Sequence, residues 1–240
     1  SRGLGDVYKR QALFLILTHV NKKSKNIYRK KPYLINLFFV GYLFGIGYFI
    51  SGTHWITYSL TFDESFKHLI PLSLIGIPMF LGLFFGITTL CVGRLMKNNF
   101  TSILIFCLSL SIADFIRSNI LSGFPWNLWA YSWSWFPETL QILKYFGLYG
   151  FNLLALTIFS SPLLVIFYKK KFNILFLFIF ICLFFLNYIY GSTVINKNLR
   201  DFDKFVLNDS NSINVKLISP NIDLNYNLTI DGAKPVSYTH

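Results

Sequence analysis

The sequence predicts an all-α polytopic membrane protein, and composition and long apolar runs carry that prediction. The 240 residues are 54% hydrophobic and only 13% charged, whereas soluble domains carry about 25% charged residues. Phenylalanine alone supplies 27 residues, which leaves too little polar surface to keep a monomer of this size soluble. The formal net charge of +12 fits basic loops against anionic lipid rather than nucleic acid. An ordinary cytosolic domain and a disordered chain are excluded.

Five apolar runs are long enough to cross a membrane, since about 20 apolar residues span the hydrocarbon as a helix. Four of them contain no Asp, Glu, Lys or Arg: 33–60, 69–93, 145–168 and 172–194. The fifth, 100–121, carries Asp114 and Arg117. Ala12–Val20 is too short to span and is interpreted as the stump of an earlier helix. The runs do not alternate apolar with polar residues, which excludes membrane strands. We predict a transmembrane helical domain over 12–194.

The charges of the connecting loops predict the orientation of the spans. Residues 21–31 contain six basic residues and no acid, and residues 94–99 and 169–171 are also basic. The intervening loops, 61–68 and 122–138, are poor in basic residues. The positive-inside rule therefore places the basic loops in the cytoplasm. It places the loops with few basic residues outside, together with everything after about residue 195.

The C-terminal part changes character after the last span. Residues 195–212 are polar and mixed in charge, and we predict an extracytoplasmic linker there. Ile213, Val215 and Leu217 alternate with polar residues, which predicts a short strand. Because one strand cannot bury a core, residues 213–234 are interpreted as the start of a further domain.

Both ends of the chain differ in character from the segments beside them. Residues 1–11 read SRGLGDVYKRQ, begin without Met and run directly into an apolar segment. Residues 235–240 read PVSYTH and continue no pattern of the preceding residues. We interpret both as a non-native leader and tail of translated adaptor sequence.

An aromatic cluster, Gly123–Trp135, contains four of the five tryptophans. Trp and Tyr prefer the level of the lipid headgroups, so the cluster fits an interfacial anchor. It fits equally the rim of a lipid-entry cleft, where aromatic faces guide acyl chains. Composition does not separate these two interpretations.

Asp114 and Arg117 form the other notable pair, three residues apart on one helix face. Charges inside a span are costly, and they serve either a structural ion pair or contact with a lipid headgroup. Cys91, Cys107 and Cys182 lie in apolar runs and are interpreted as small buried hydrophobic residues. The sequence shows no metal-ligand spacing, phosphate loop or cofactor motif, and it predicts no catalytic residue.

Several blocks together resemble the apolipoprotein N-acyltransferase family. They are GYLFGIGYFISGTHWITYSL, SIADFIRSNILSGFPWNLWAYS, LKYFGLYGFNLLAL and INVKLISPNIDLN, in the family's order. The resemblance covers about residues 12–234, and GFPW is its most specific part. It identifies the strand at Ile213 as the first strand of a nitrilase-like α/β domain of the carbon–nitrogen hydrolase class.

The resemblance implies a bacterial inner-membrane enzyme whose C-terminal part is periplasmic. Such an enzyme transfers an acyl chain from a phospholipid, through a cysteine thioester, to the N-terminal diacylglyceryl-cysteine of a lipoprotein. It implies no cofactor, metal or nucleic-acid partner. We expect lipid or substrate contacts from eight residues: Trp55, Tyr58, Asp114, Arg117, Phe124, Trp126, Trp129 and Tyr131.

This chain departs from the family pattern in places. Asp114 stands where the family usually has Glu, Ser219-Pro220 where a Gln-Gly or similar pair is usual, and Leu228 near an expected Trp. The resemblance also implies that the Glu–Lys–Cys catalytic triad lies beyond residue 240. We therefore expect this chain alone to be inactive. The alternative function is a non-enzymatic membrane scaffold or transporter subunit with a small periplasmic tail.

The predicted orientation is testable with a reporter fused after Asn211. A periplasm-specific reporter such as alkaline phosphatase should be active there, because five crossings starting from a cytoplasmic loop end outside. A fusion after Asn98, in a basic loop, is the control and should be inactive. The opposite pattern would contradict both the orientation and the enzyme assignment.

Overall fold

The computed structural model describes residues 2–27, 32–120, 123–167 and 171–208, and within these ranges every regular element is helical. The α-helices are α1 (Arg2–Ile27), α2 (Pro32–Thr53), α3 (Ile56–Ser59), α4 (Ile70–Val92), α5 (Phe100–Asn119), α6 (Pro137–Leu140), α7 (Leu143–Ser160), α8 (Pro162–Phe167) and α9 (Lys171–Asn208). Short 3-10 turns occupy Glu64–Leu69, Gly93–Leu95 and Trp129–Trp133. Among these residues, five helical segments are long and apolar enough to cross a membrane. The all-α fold with five spans is confirmed, whereas the predicted strand lies outside the described residues.

The observed helices differ from the predicted spans mainly at their ends. α5 begins after Asn99, whose side chain accepts a hydrogen bond from the Ser102 amide at 2.9 Å. It ends at Asn119, two residues early, because Ile120 has extended backbone. The span predicted over 145–168 is divided, with α7 ending before Pro162 and α8 following. α9 continues as helix to Asn208, through most of the segment predicted as a linker.

The predicted stump, Ala12–Val20, forms the middle of the longer helix α1. Leu13, Phe14 and Leu17 are buried in the main core, where the Phe14 ring lies 5.3 Å from that of Phe106. Arg10, within the stretch predicted to be non-native, is also buried, with its guanidinium 3.7 Å from the centre of the Trp129 ring. The origin of residues 1–11 remains a prediction.

α2 and α4 form the closest helix pair, and small residues permit this approach. A β-carbon at Gly45 would lie 2.8 Å from the α-carbon of Gly82. The Thr89 hydroxyl donates to the Leu37 carbonyl across the same interface at 2.8 Å. Without a hydrophobic driving force between helices in lipid, such close packing and hydrogen bonds supply the association energy. The remaining core helices, α1, α5 and α7, pack around this pair.

Contacts at the two ends of the bundle agree with the predicted alternation of loops. The Asn21 side-chain amide donates to the Arg94 and Met96 carbonyls at 3.2 and 2.6 Å, so the C-terminal ends of α1 and α4 meet. At the opposite end, the rings of Trp55 and Trp126 lie 5.3 Å apart. The basic loops 21–31 and 94–99 therefore meet at one end, and the end of the span 33–60 meets the loop 122–138 at the other.

The α2–α4 interface predicts a difference between two glycines of one helix. Gly45→Ile should destabilise the protein by about 1–3 kcal/mol, because its side chain must displace α4. Gly47→Ile is the matched control, since a β-carbon there meets nothing within 4 Å. Unfolding by SDS titration in detergent micelles measures both variants. Equal destabilisation would contradict the proposed packing.

Candidate functional site: a re-entrant loop beside a lipid-facing cavity

The segment Gly123–Phe136, called here the re-entrant loop, leaves the end of α5 and folds back into the bundle. Gly123 has a φ of +73°, and a β-carbon there would lie 2.5 Å from the Ser118 carbonyl oxygen. Only glycine accommodates both features. Pro125 prevents continuation of a helix, and Asn127 adopts a positive φ of 59°. The loop ends just before α6.

Ring contacts show how deeply the re-entrant loop enters. The Trp133 ring stacks on Phe159, with centroids 5.0 Å apart and planes 5° apart. Phe159 is the penultimate residue of α7. Regular helix begins after Gly147, so Phe159 lies eleven residues beyond Leu148, which is about 17 Å along the helix axis. Trp133 also lies 4.9 Å from the Phe184 ring in the middle of the apolar part of α9. The loop therefore reaches membrane depth.

Arg117 supplies hydrogen bonds to the backbone of this loop. Its Nη1 atom donates to the carbonyl oxygens of Phe124 and Trp126 at 2.7 and 2.9 Å. Non-helical backbone is tolerated at membrane depth only where its polar groups are buried in protein and satisfied. Arg117 therefore satisfies two carbonyls that lie outside any helix.

Asp114 and Asn152 complete the network. Arg117 Nη2 donates to Asp114 Oδ1 at 3.0 Å, and the two side chains are only 1% and 4% exposed. Asn152 on α7 donates through Nδ2 to Asp114 Oδ2 at 3.0 Å and accepts the Ala130 amide at 3.1 Å. Both carboxylate oxygens are thus paired, as a buried charge requires. The network joins α5, α7 and the re-entrant loop.

α2 holds the loop from the other side. The Tyr48 hydroxyl donates to the Asn127 carbonyl at 2.7 Å, and its ring stacks on Trp129 with centroids 4.5 Å apart. The Arg117 guanidinium carbon lies 5.1 Å from the centre of the Phe49 ring. These contacts combine hydrogen bonding with aromatic packing, and together they fix the position of the loop between α2, α5 and α7.

The eight predicted contact residues divide into two groups. Four are exposed by 43–71% of their surface: Trp55, Tyr58, Trp126 and Tyr131. Asp114, Arg117 and Trp129 are buried, and Phe124 is partly buried. The aromatic cluster is therefore not a uniform interfacial belt, because Trp129 is buried and Trp133 is partly buried against Phe159, while Trp126 and Trp135 face outward.

A lipid-facing cavity adjoins the loop between α4 and α5. This α4–α5 cavity has a volume of about 360 Å³, and its lining includes Phe80, Ile120, Phe124 and Arg117. Phe80 and Ile120 are each 47% exposed, so the cavity opens on the outer surface of the bundle. A second cavity of about 390 Å³ shares Ile120 and continues along the same two helices. Together the two cavities form an apolar groove along α4 and α5 that ends at the re-entrant loop.

Other candidate chemistry is sparse in the described part of the chain. No group of three or more His, Cys, Asp or Glu residues arranged to hold a metal ion was found there. Cys107 is buried, Cys182 is half-buried and Cys91 is exposed, so the predicted burial holds fully only for Cys107. Asn152 and Tyr48 are not among the site residues predicted from the sequence. A lone Asn within an apolar span was the available signal for the first, whereas nothing local distinguished Tyr48 from its aromatic neighbours.

The buried network predicts a large effect of substituting Arg117. Arg117→Met should cost about 3–5 kcal/mol of unfolding free energy, because it leaves the Asp114 carboxylate buried without its countercharge. Lys67→Met is the control, since the Lys67–Glu64 pair has the same spacing but is exposed and contributes at most about 1 kcal/mol. SDS unfolding measures both.

A double variant separates the cost of the unpaired Asp114 charge from the loss of the hydrogen bonds that Arg117 donates to the loop. Adding Asp114→Leu to Arg117→Met should recover part of the loss, since no unpaired charge remains. Recovery should be incomplete, because the Phe124 and Trp126 carbonyls still lack donors. A loss in Arg117→Met no larger than in Lys67→Met would contradict the assigned role.

Comparison with known proteins shows which family the chain resembles. Residues 13–161 match the family model of the apolipoprotein N-acyltransferase N-terminal domain, which includes α5, the re-entrant loop and α7. A Brucella melitensis apolipoprotein N-acyltransferase is 36% identical over 127 residues, which are 52% of this chain and 24% of the relative. The Rickettsia prowazekii protein of the same name is 34% identical over 185 residues, 76% of this chain and 35% of the relative.

The longest of these matches is to the apolipoprotein N-acyltransferase of Rickettsia typhi. It is 32% identical over 212 residues, which are 87% of this chain and 39% of the relative. The chain thus corresponds to between a quarter and two fifths of the length of these curated relatives. The family model covers more than half of the chain. The chain therefore belongs to the apolipoprotein N-acyltransferase family.

Proposed function

We propose that this chain is the N-terminal membrane portion of an enzyme that transfers an acyl chain from a phospholipid to the N-terminal diacylglyceryl-cysteine of lipoproteins. The enzyme would lie in the bacterial inner membrane, with the part that follows α9 in the periplasm. Family membership and the α4–α5 cavity beside the re-entrant loop support this proposal. The α4–α5 cavity supports the proposal most directly, because an acyl chain can bind in this cavity.

The chemistry of the cavity suits a phospholipid acyl chain. Its walls are mainly Phe, Ile and Leu side chains, and Arg117 is the one charged residue in its lining. Burying an apolar chain there removes hydrocarbon from a less well packed environment and holds it in a defined orientation. The donor's ester group would then lie near the extracytoplasmic end of the bundle, where the catalytic domain of a full-length enzyme would meet it.

The predicted contact residues take separate roles in this proposal. Trp55, Tyr58, Trp126 and Tyr131, which are exposed at this end, would contact lipid headgroups and the lipoprotein acceptor. Phe124 would contact the acyl chain. Asp114, Arg117 and Trp129 would act by holding the loop in place rather than by touching substrate.

The proposed reaction has two acyl transfers. A cysteine thiolate attacks the phospholipid ester carbonyl, forming a thioester and releasing a lysophospholipid. The lipoprotein α-amine then attacks the thioester, forming an amide and returning the thiol. A Glu would accept and return the proton, and a Lys would stabilise the oxyanion. We assign none of these three roles to a residue of this chain, and we propose that residues 1–240 alone are inactive.

The function is tested by complementation. The full-length gene should restore growth to bacteria depleted of their own N-acyltransferase and should convert diacylated lipoproteins to the triacylated form, read by mass spectrometry. Residues 1–240 alone should do neither. Absence of N-acylation by a stably expressed full-length protein would overturn the proposal.

A cavity-filling variant tests the role of the α4–α5 cavity. Gly76→Trp, in the wall, should raise the KM for phospholipid about tenfold by displacing roughly two methylenes, with little change in kcat. Gly47→Trp is the matched control, because it adds the same side chain to an exposed site outside the cavity. Equal kinetics of the two variants in full-length enzyme would contradict acyl-chain binding at this site.

A further inference from the structure

A polar pocket, called here the basic pocket, lies at the end of the bundle where the two basic loops meet. Its volume is about 260 Å³. Residues from the C-terminal part of α1 and from the segment between α4 and α5 line it: Thr18, Asn21, Lys22, Met96, Lys97 and Asn98. It shares no lining residue with the α4–α5 cavity, so it is separate from the proposed acyl-donor site.

Hydrogen bonds within the protein build the inner wall of the basic pocket. Asn21 is 4% exposed, and its side-chain amide donates to the carbonyls of Arg94 and Met96. The Ser102 hydroxyl donates to the Leu95 carbonyl at 3.0 Å. Neutral side chains therefore already pair the carbonyls that follow α4, and these carbonyls do not require the ammonium groups of nearby lysines.

Lys22 and Lys97 bring two positive charges to the basic pocket. Each follows directly after one partner of the hydrogen bond from Asn21 to Met96, and both lysines are exposed. Within the described ranges, neither lysine forms a salt bridge. Their ammonium groups are therefore accessible to a ligand.

The helices around the basic pocket contain no acid that could neutralise these charges. Residues 12–62, 65–113 and 139–200 include no Asp or Glu. The acid of α1, Asp6, precedes Lys22 by sixteen residues, which is about 24 Å along the helix. The positive-inside rule accounts for basic loops in general, but it does not require two lysines to line one pocket. The countercharge must come from outside these helices.

The position of the basic pocket favours a lipid as the source of that countercharge. Thr18 lies within the apolar run Ala12–Val20, whereas Lys22, one turn later, lies in a basic loop. The pocket thus crosses the boundary at which lipid headgroups lie. Leu95, next to Met96, is 53% exposed and offers acyl chains an apolar surface beside the pocket.

The size of the basic pocket limits how much of a lipid it can hold. Pockets that enclose drug-sized ligands have volumes of about 300–1,000 Å³, and this pocket is smaller. It therefore suits a headgroup, with the acyl chains remaining in the membrane.

We propose that the basic pocket binds the headgroup of an anionic phospholipid such as phosphatidylglycerol. The ammonium groups of Lys22 and Lys97 donate to the phosphate oxygens, and the exposed Asn98 amide adds a neutral donor. A zwitterionic headgroup binds less well, because its own cation is repelled by two lysines that have no acid beside them. This binding depends neither on acyl transfer nor on the α4–α5 cavity.

The first test is acylation of lysines in the full-length protein, in nanodiscs of phosphatidylcholine with or without phosphatidylglycerol. Mass spectrometry reads the acylation rate at each lysine. Phosphatidylglycerol should slow acylation of Lys22 and Lys97 about fivefold more than that of Lys23. Lys23 is the internal control, because it is exposed in the same loop but lies outside the lining. Inorganic phosphate added to phosphatidylcholine nanodiscs should not protect either lysine.

Paired variants separate the basic pocket from the general charge of the loops. Native mass spectrometry in a non-ionic detergent measures the dissociation constant of the first phosphatidylglycerol bound. Lys22→Gln with Lys97→Gln should raise this constant about tenfold or more, as expected for loss of charged hydrogen bonds. Lys23→Gln with Arg94→Gln removes the same charge from the same loops outside the lining, and should change it by at most about twofold. Gel filtration verifies that both variants are folded.

Three results would overturn the proposal. The first is equal protection of Lys22, Lys23 and Lys97 by phosphatidylglycerol. The second is protection by inorganic phosphate alone, which would assign the pocket to a soluble anion. The third is equal weakening of lipid binding by the two paired variants. If the first pair does not fold, the acylation rates of the unsubstituted protein still decide. Neither readout measures acyl transfer, so failure of the proposed enzymatic function would not produce any of these results.

Discussion

Irregular backbone at membrane depth needs hydrogen-bond partners, and this requirement governs the arrangement around the re-entrant loop. Lipid offers no partners, so the protein must supply them from side chains. Arg117 donates hydrogen bonds to two carbonyls of the loop, and Tyr48 donates to a third. Asn152 accepts a hydrogen bond from a backbone amide of the loop. Asp114 then balances the charge that Arg117 brings into the bundle. The burial of these polar side chains therefore follows from the entry of this loop into the bundle.

The same requirement explains why a costly buried ion pair is present at all. A hydrophobic pair of similar size would pack as well and avoid desolvation. It would not, however, donate to the carbonyls of Phe124 and Trp126. The guanidinium presents several donors in fixed directions, so one side chain reaches both the carboxylate and the loop. The ion pair thus supports the non-helical backbone of the re-entrant loop.

The re-entrant loop also forms part of the wall of the α4–α5 cavity. Gly123 and Phe124 of the loop line this cavity together with Arg117, which donates a hydrogen bond to the Phe124 carbonyl. The hydrogen bonds that support the irregular backbone therefore also fix part of the cavity wall.

The sequence alone determined the fold class and the number of spans, and it placed Asp114 and Arg117 on one helix face. Uninterrupted apolar runs and the i, i+3 spacing are local properties, so they are visible without a structure. Tertiary structure decided which side chains meet the re-entrant loop, and it decided that Trp129 is buried in the bundle and Trp133 partly buried. Amphipathic aromatic residues suit an interface or a core equally well, and only the path of the backbone selects between them. Asn152 acquires its role for the same reason, because its partners are 22 and 38 residues away in the chain.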